Sequence, residues 1–287
     1  MSRRRNIITA ACVLIAAAAV FSVFKFWVKT SARGAEKVEL VILMYHSLRE
    51  DESYLGTYVI SPETFEADLI YLQEHGYTSV SVAELIAYVS DPEATLPEKP
   101  VLITFDDGHY NNYTYAFPLL KKYNFKALIS VVGAYCEKQT VSCDKQSSGY
   151  SYLNWQQVAE LAGSGLIEIG CHSYDMHTTS AGKRYGAKQK TGESDAVYEE
   201  ALKQDTLKLM ALLEENGVAM SPVYAYPFGS YNANSEEVLH ALGFVMTLSC
   251  EQGTNVLTRG GSLYLLKRYN RPNGLTSEEF FRKIGLD

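Results

Sequence analysis

Proline and cysteine are scarce in this chain, with 8 and 5 residues among 287. So little proline, with 20 glycines and no repeating unit, excludes collagen-like and low-complexity architectures. Five cysteines over this length are too few for a fold stapled by disulfides. No glycine-rich phosphate loop is present, which argues against a nucleotide enzyme. Positive charge is also lacking beyond the N-terminus. Of 26 basic residues, six (Arg3, Arg4, Arg5, Lys25, Lys29 and Arg33) lie within the first 35 positions, which hold no acid. The remaining 20 face 33 acidic groups, a balance of −13 that disfavours nucleic acid as a partner. Apolar material, in contrast, is ample at 47%, enough for one large domain or two small ones.

The basic N-terminus precedes an uncharged, mostly apolar run from Ile7 to Phe24, followed by Lys25, Trp27 and Lys29. With Phe26–Val28 the run approaches the roughly 20 residues that a helix needs to cross a bilayer. Arginines ahead of it hold the N-terminus in the cytoplasm and place everything after Lys29 outside. The run is therefore expected to be a retained transmembrane anchor at about 7–28. A cleaved signal peptide, cut near Thr30-Ser31-Ala32 or Ala32-Arg33-Gly34, is the alternative. The expected division is a tip, anchor and linker in 1–35 and one exported domain in 36–287. Cys12 falls in the anchor. Cys136 and Cys143 flank a polar stretch and are candidates to pair, whereas Cys171 and Cys250 end apolar runs and read as buried thiols.

In the body, apolar β-rich runs alternate with amphipathic stretches. Strands are expected at Leu40–Tyr45, Val101–Phe105, Ala127–Val132, Leu166–Cys171, Val223–Tyr226, Phe244–Cys250 and Leu263–Leu266, with a shorter one at Tyr77–Val80. Helices are expected at Glu63–His75, Val82–Val89, Tyr113–Tyr123, Trp155–Ala162, Val197–Asn216, Ser235–Leu242 and Ser277–Ile284. Ser61-Pro62-Glu63 and Asn234-Ser235-Glu236 read as helix starts. Strands apolar on both faces imply a parallel sheet covered by helices, and seven or eight β/α units imply a closed or nearly closed barrel. His46, Asp106-Asp107, His172 and Pro227-Phe228 each follow a strand, so a barrel brings all four clusters to one mouth.

Thr104-Phe105-Asp106-Asp107-Gly108 ends a strand with adjacent carboxylates. Asp-Gly is a common turn pair, but two like charges side by side repel unless they share a cation. On that reading one aspartate binds a metal and the other takes a proton from water. His172 and His177, five residues apart, complete a ligand set of two imidazoles and a carboxylate that leaves coordination positions open. Such donors suit Zn²⁺ first, with Co, Ni, Mn and Fe as alternatives. His109 reads as a solvated loop residue, with contact at the mouth as the alternative, and His75 and His240 as structural. Lys183, Arg184, Lys188 and Lys190 form a basic loop read as solvated, with contact to an anionic glycan as the alternative. Tyr110, Tyr174, Tyr185 and Tyr231 are expected at the rim or in packing.

From about residue 38 to 287 the chain resembles the polysaccharide deacetylases of carbohydrate esterase family 4, which share the NodB-homology fold. The T-F-D-D-G motif stands at 104–108. The motif usually written H-[ST]-x-x-H appears with one extra residue, as His172-Ser173 to His177. That spacing, with Tyr45-His46 on the first strand, is similar to the subgroup acting on poly-β-1,6-N-acetylglucosamine. The third motif reads Ala225-Tyr226-Pro227-Phe228-Gly229, without its arginine, and the last strand carries Leu265-Leu266-Lys267-Arg268 where a histidine would fall. The resemblance implies a distorted (β/α)7-8 barrel after the transmembrane helix. It implies Asp106 as general base, Asp107, His172 and His177 as metal ligands, and the backbone N–H of Phe228 as oxyanion donor. Arg268 or Lys267 would replace the missing arginine as partner of the base. With the late histidine missing, His46 is the candidate general acid.

The expected function is metal-dependent hydrolytic N-deacetylation of an extracellular N-acetylglucosamine polymer, with poly-β-1,6-N-acetylglucosamine as first substrate. Peptidoglycan is the alternative substrate, and a non-catalytic, membrane-anchored glycan-binding protein is the alternative from a different class. The expected partners are the glycan and, through the N-terminal helix, the cell membrane.

Overall fold

The computed structural model describes residues 37–142, 146–179 and 184–286. The expected anchor at 7–28, the rest of segment 1–35, Cys12, Cys143 and Lys183 lie outside them. Among the described residues no helix is long and apolar enough to cross a membrane.

The strands in chain order are β1 (Val38–Tyr45), β2 (Ser47–Leu48), β3 (Val59–Ile60), β4 (Thr78–Ser79), β5 (Pro100–Phe105) and β6 (Ala127–Val131). They continue with β7 (Ile167–Cys171), β8 (Met220–Ala225), β9 (Met246–Leu248), β10 (Asn255–Leu257), β11 (Leu263–Leu266) and β12 (Tyr269–Asn270). One sheet runs β10-β1-β5-β6-β7-β8-β9-β11, with β4 beside β5 and β12 beside β1. Every pairing along this path is parallel except that of β10 with β1. The sheet curls into a nearly closed α/β barrel, as the alternation of elements predicts. Asn255 laces β10 to the chain just after β11. Its Nδ2 donates to the Lys267 carbonyl and its Oδ1 accepts from the Lys267 N–H, both at 2.9 Å.

Strand alternation sorts the side chains into two apolar layers. Leu40, Ile42, Leu102, Leu128, Val223, Ala225, Leu248 and Leu266 pack together inside the barrel. Val41, Leu43, Tyr45, Ile103, Phe105, Ile129 and Ile169 face outward onto the helices, among them Phe65 and Leu69 of helix Pro62–Glu74 and Leu209 of helix Asp195–Glu215. Each fully buried residue of this size contributes about 1.5–3 kcal/mol.

Helix Val82–Ser90 adds Val82, Leu85 and Tyr88 to the inner layer. It is held by a capping box between Ser81 and Glu84 and by Glu168, which accepts from the Val82 N–H. Ser81→Ala is expected to cost about 1 kcal/mol, the usual loss for a missing N-cap, read as a shift of the urea midpoint at constant m-value. An unchanged midpoint would show that Glu168 alone secures this helix end.

Outside β1, Asp68 is fully buried and accepts from Arg271 Nε (2.9 Å), Ser277 Oγ (2.7 Å) and the Tyr45 hydroxyl (3.1 Å). Burial pushes the Asp68 carboxyl up against the pull of Arg271. This cluster ties helix Pro62–Glu74 to the last strand residue before His46.

Three expectations need correction. The stretch after β6 is a helix, Gly133–Ser142, in which Cys136 is fully buried, so this thiol does not flank an open polar loop. Phe244–Cys250 shortens to Met246–Leu248, with the chain bending at Cys250 after the Ser249 N–H donates to the Leu266 carbonyl. Helix Tyr113–Tyr123 starts as a π-turn, Asn112–Ala116, before α-helix Phe117–Tyr123.

Candidate active site

Residues that continue the inward register just past the strand ends are gathered by the barrel at one mouth. Asp106 and His172 are buried at the strand ends, and Arg268 is fully buried beside them. His46, Asp106, Asp107, His172, His177 and Phe228 line one cavity of about 710 Å³, with His109, Tyr58, Tyr150, Tyr152, Tyr185 and Cys250.

Arg268 grips Asp106 with two parallel bonds, Nη1 to Oδ1 and Nη2 to Oδ2, both 2.8 Å. Its Nε donates to the Ser249 carbonyl at 2.9 Å. Burial alone would push the Asp106 carboxyl up, but the charge of Arg268 and of the nearby histidines holds it below the ordinary value. Of the two candidate partners for the base, Arg268 continues the inward register of Leu266, whereas Lys267 faces the surface.

Asp107 Oδ1 lies 3.4 Å from His172 Nε2 and 3.1 Å from His177 Nε2. All three ligand atoms fall within 4.8 Å of one another. His172 Nδ1 is 2.8 Å from the Ala225 carbonyl, which selects the tautomer with a lone pair on Nε2. His177 Nδ1 faces the Tyr135 hydroxyl at 3.3 Å. Asp107 Oδ1 is buried without a hydrogen-bond donor. Acceptor atoms converging on an orphaned carboxylate oxygen fit a divalent cation and, with two imidazoles and one carboxylate, leave coordination positions open. Burial pushes the Asp107 carboxyl up, but the three histidines around it hold it well below the usual range.

The backbone bends sharply here. Asp107, Ser173 and Phe228 adopt φ values of 72°, 70° and 58°, left-handed conformations that cost about 1–3 kcal/mol each outside glycine. The loop between the two histidines is pinned from both sides. Ser173 Oγ accepts from the Met176 N–H at 3.1 Å, and Asp205 accepts from the N–H groups of Tyr174 and Asp175, both at 2.8 Å. Phe228 lies over the mouth with its ring 4.4 Å from that of His177.

His46 contributes a buried Nδ1 without a hydrogen-bond partner, and its ring lies 4.8 Å from that of Tyr58. Burial, outweighing the pull of Asp106 and Asp107, holds its pKa below the ordinary imidazole value. Its carbonyl accepts from Asn112 Nδ2 at 2.8 Å, and Asn111 bonds Ser47 and the Leu48 N–H.

Several side chains sit elsewhere than expected. His109 is at the site, with Nε2 3.2 Å from Asp107 Oδ2, because its backbone pairs with Tyr152 and cannot leave. Cys250 is half-buried on the cavity wall, whereas Cys171 is fully buried. Arg184 is buried and paired bidentately with Glu193 at 2.7 Å, so it is no solvated charge, unlike the exposed Lys188 and Lys190. His75 caps its helix and stacks on Tyr71, and His240 is exposed at a helix end. Tyr185 stands at the mouth, while Tyr174 binds Glu137. Sequence reasoning missed Asp205, Tyr135, Tyr152 and the Asn111–Asn112 pair. Only the asparagines, three residues past the carboxylate motif, carried any signal.

Comparison with known proteins gives consistent findings. A family model described as polysaccharide deacetylase matches residues 93–247. A poly-β-1,6-N-acetyl-D-glucosamine N-deacetylase of Escherichia coli (strain K12) is 26% identical over 260 residues, covering 85% of this chain and 38% of its own length. The chain thus spans under two fifths of that relative. A Staphylococcus aureus (strain MRSA252) protein of the same name is 24% identical over 220 residues, covering 77% of this chain and 69% of its own. Among solved structures, IcaB from Ammonifex degensii superimposes with a TM-score of 0.68 and 28% identity, covering 84% of this chain and 94% of its own.

Proposed function

From the premise that this chain belongs to the polysaccharide deacetylase family, we propose that it hydrolyses the acetamide groups of an N-acetylglucosamine polymer, with poly-β-1,6-N-acetylglucosamine as its substrate. One observation carries the reading. A buried carboxylate fixed by Arg268 stands next to a carboxylate facing two imidazoles, in a cavity large enough for a sugar. The names of the Escherichia coli and Staphylococcus aureus relatives support the choice of polymer.

Asp107, His172 and His177 would hold a divalent cation, with Zn²⁺ the first choice for these donors. Such a cation would lower the pKa of a bound water to about 7 and polarise a carbonyl. Asp106, kept ionised by Arg268, accepts the proton of the attacking water as general base. The amide carbonyl oxygen gains charge as the tetrahedral species forms, and the Phe228 backbone N–H would donate to it. Collapse breaks the C–N bond, and the departing nitrogen needs a proton to leave as an amine. His46 is the proposed donor. To act as that donor it must carry the proton when the C–N bond breaks. Exposed Tyr58, Tyr150 and Tyr185 around the mouth offer aromatic faces on which sugar rings stack.

The proposal extends to location. The basic tip and apolar run at 7–28 would anchor the chain in the cell membrane with the barrel outside, where the polymer lies. The test of function is acetate release by the purified full-length chain, with bound metal quantified, from poly-β-1,6-N-acetylglucosamine oligomers and from peptidoglycan in parallel. Release from the oligomers is the expected result. Release from peptidoglycan alone would move the substrate to the cell wall, and no release by metal-loaded protein would remove the deacetylase reading.

A further inference from the structure

The two oxygens of Asp107 face different partners. Oδ1 faces the Nε2 atoms of His172 and His177, whereas Oδ2 faces His109 Nε2 at 3.2 Å. His109 is not among the three residues whose ligand atoms cluster within 4.8 Å. Its ring stacks on Tyr152, with centroids 5.1 Å apart and planes 20° from parallel. The backbone of 108–110 is stitched to 151–153: the Leu153 N–H donates to the Gly108 carbonyl and the Tyr110 N–H to the Ser151 carbonyl, both at 2.9 Å. The imidazole is therefore fixed by backbone and ring contacts, on the side of the carboxylate away from the other two histidines.

We propose that His109 is a positioning residue for the cation site, donating from Nε2–H to Asp107 Oδ2 so that Oδ1 alone is left as the ligand atom. The physical argument concerns rotation. The terminal torsion of an aspartate is broad, and an unanchored carboxylate can swing between one-oxygen and two-oxygen coordination. A donor on the outer oxygen removes that freedom, keeps a coordination position open for water or substrate, and orients the lone pair of the inner oxygen. The inference rests on reading Asp107, His172 and His177 as a divalent-cation site.

The experiment uses the full chain, stripped of metal by a chelator and dialysed. The Zn²⁺ dissociation constant is read by competition with a chromophoric chelator, and the visible absorption of the Co²⁺ form reports ligand geometry. H109Q places an amide donor near the position of Nε2. H109F and H109L both remove the donor, the first keeping a ring over Tyr152, and metal-free melting curves exclude a packing defect. The expected result is Zn²⁺ binding about 10–100-fold weaker in H109F and H109L, with displaced Co²⁺ bands, the usual cost of losing a partner of a metal ligand. H109Q is expected to stay within about threefold of wild type. Unchanged affinity and spectrum in both donor-free variants would overturn the proposal, as would H109Q losing as much as they do. A wild-type chain that binds neither metal would instead overturn the cation reading itself.

Discussion

Asp106→Asn is expected to lower kcat for acetate release by about 10²–10⁴-fold while leaving the metal content unchanged, the effect typical of losing a positioned general base. The substitution keeps the shape of the side chain but removes its capacity to take a proton. The atoms assigned to the cation belong to Asp107, His172 and His177, so metal binding is spared. That separation is what the geometry allows to be tested, because the adjacent aspartates face different partners: Arg268 for the first, three histidines for the second. Acetate release and metal analysis on the same preparation read both halves. Turnover within a few-fold of wild type would remove Asp106 from the chemistry, and loss of metal in this variant would mean that it helps to hold the cation.

Arg268→Met is expected to destabilise the protein by about 3–5 kcal/mol, the usual consequence of leaving one member of a buried ion pair without its partner. Both side chains are shielded from water, with exposures of 0% for Arg268 and 2% for Asp106, so solvent cannot replace the lost charge. The pH dependence follows from the same pair. In the wild type Arg268 helps to hold the Asp106 carboxyl below its ordinary value, so its stabilising contribution is present above the unfolded pKa and is lost as pH falls through the folded one. In the variant burial acts without the guanidinium and raises the folded pKa. The deficit relative to wild type is then greatest at neutral pH and shrinks under acid. Urea denaturation at neutral and acidic pH measures both, and a loss below about 1 kcal/mol would show that the pair is not the buried unit described here. Arg268→Lys should recover part of the stability, since it returns the charge but not the two-pronged geometry.

The strands that form the barrel wall were legible because each is a run of apolar residues bounded by turn formers, as in Leu40–Tyr45 and Val101–Phe105. The carboxylates and histidines were legible because they directly follow such runs, and a parallel barrel has only one mouth for them to reach. Helix Gly133–Ser142 was not, because it is polar and buries little more than Cys136 and Gly133. Asp205 was not, because it lies mid-helix, 30 residues from the loop that it pins, and an acidic residue there is by itself indistinguishable from a solvated one. His109 was misjudged for a related reason. A position after Asp-Asp-Gly looks like an exposed turn, and only the pairing with Tyr152 turns it inward.

The sequence by itself therefore determined the barrel class, the T-F-D-D-G motif, the two histidines and the place where they meet, because those follow from local patterning and from the period of a strand. It also supplied two adjacent basic residues, Lys267 and Arg268, as candidate partners of the base. Tertiary structure decided between them, since Leu265 within β11 takes a left-handed conformation (φ 55°) that shifts the strand's register, and the chain continues with Lys267 exposed and Arg268 buried. It decided, too, which oxygen of Asp107 faces which imidazole and how deeply His46 is buried beside the two aspartates. Those outcomes depend on burial and on angles between segments far apart in the chain, which no local pattern encodes.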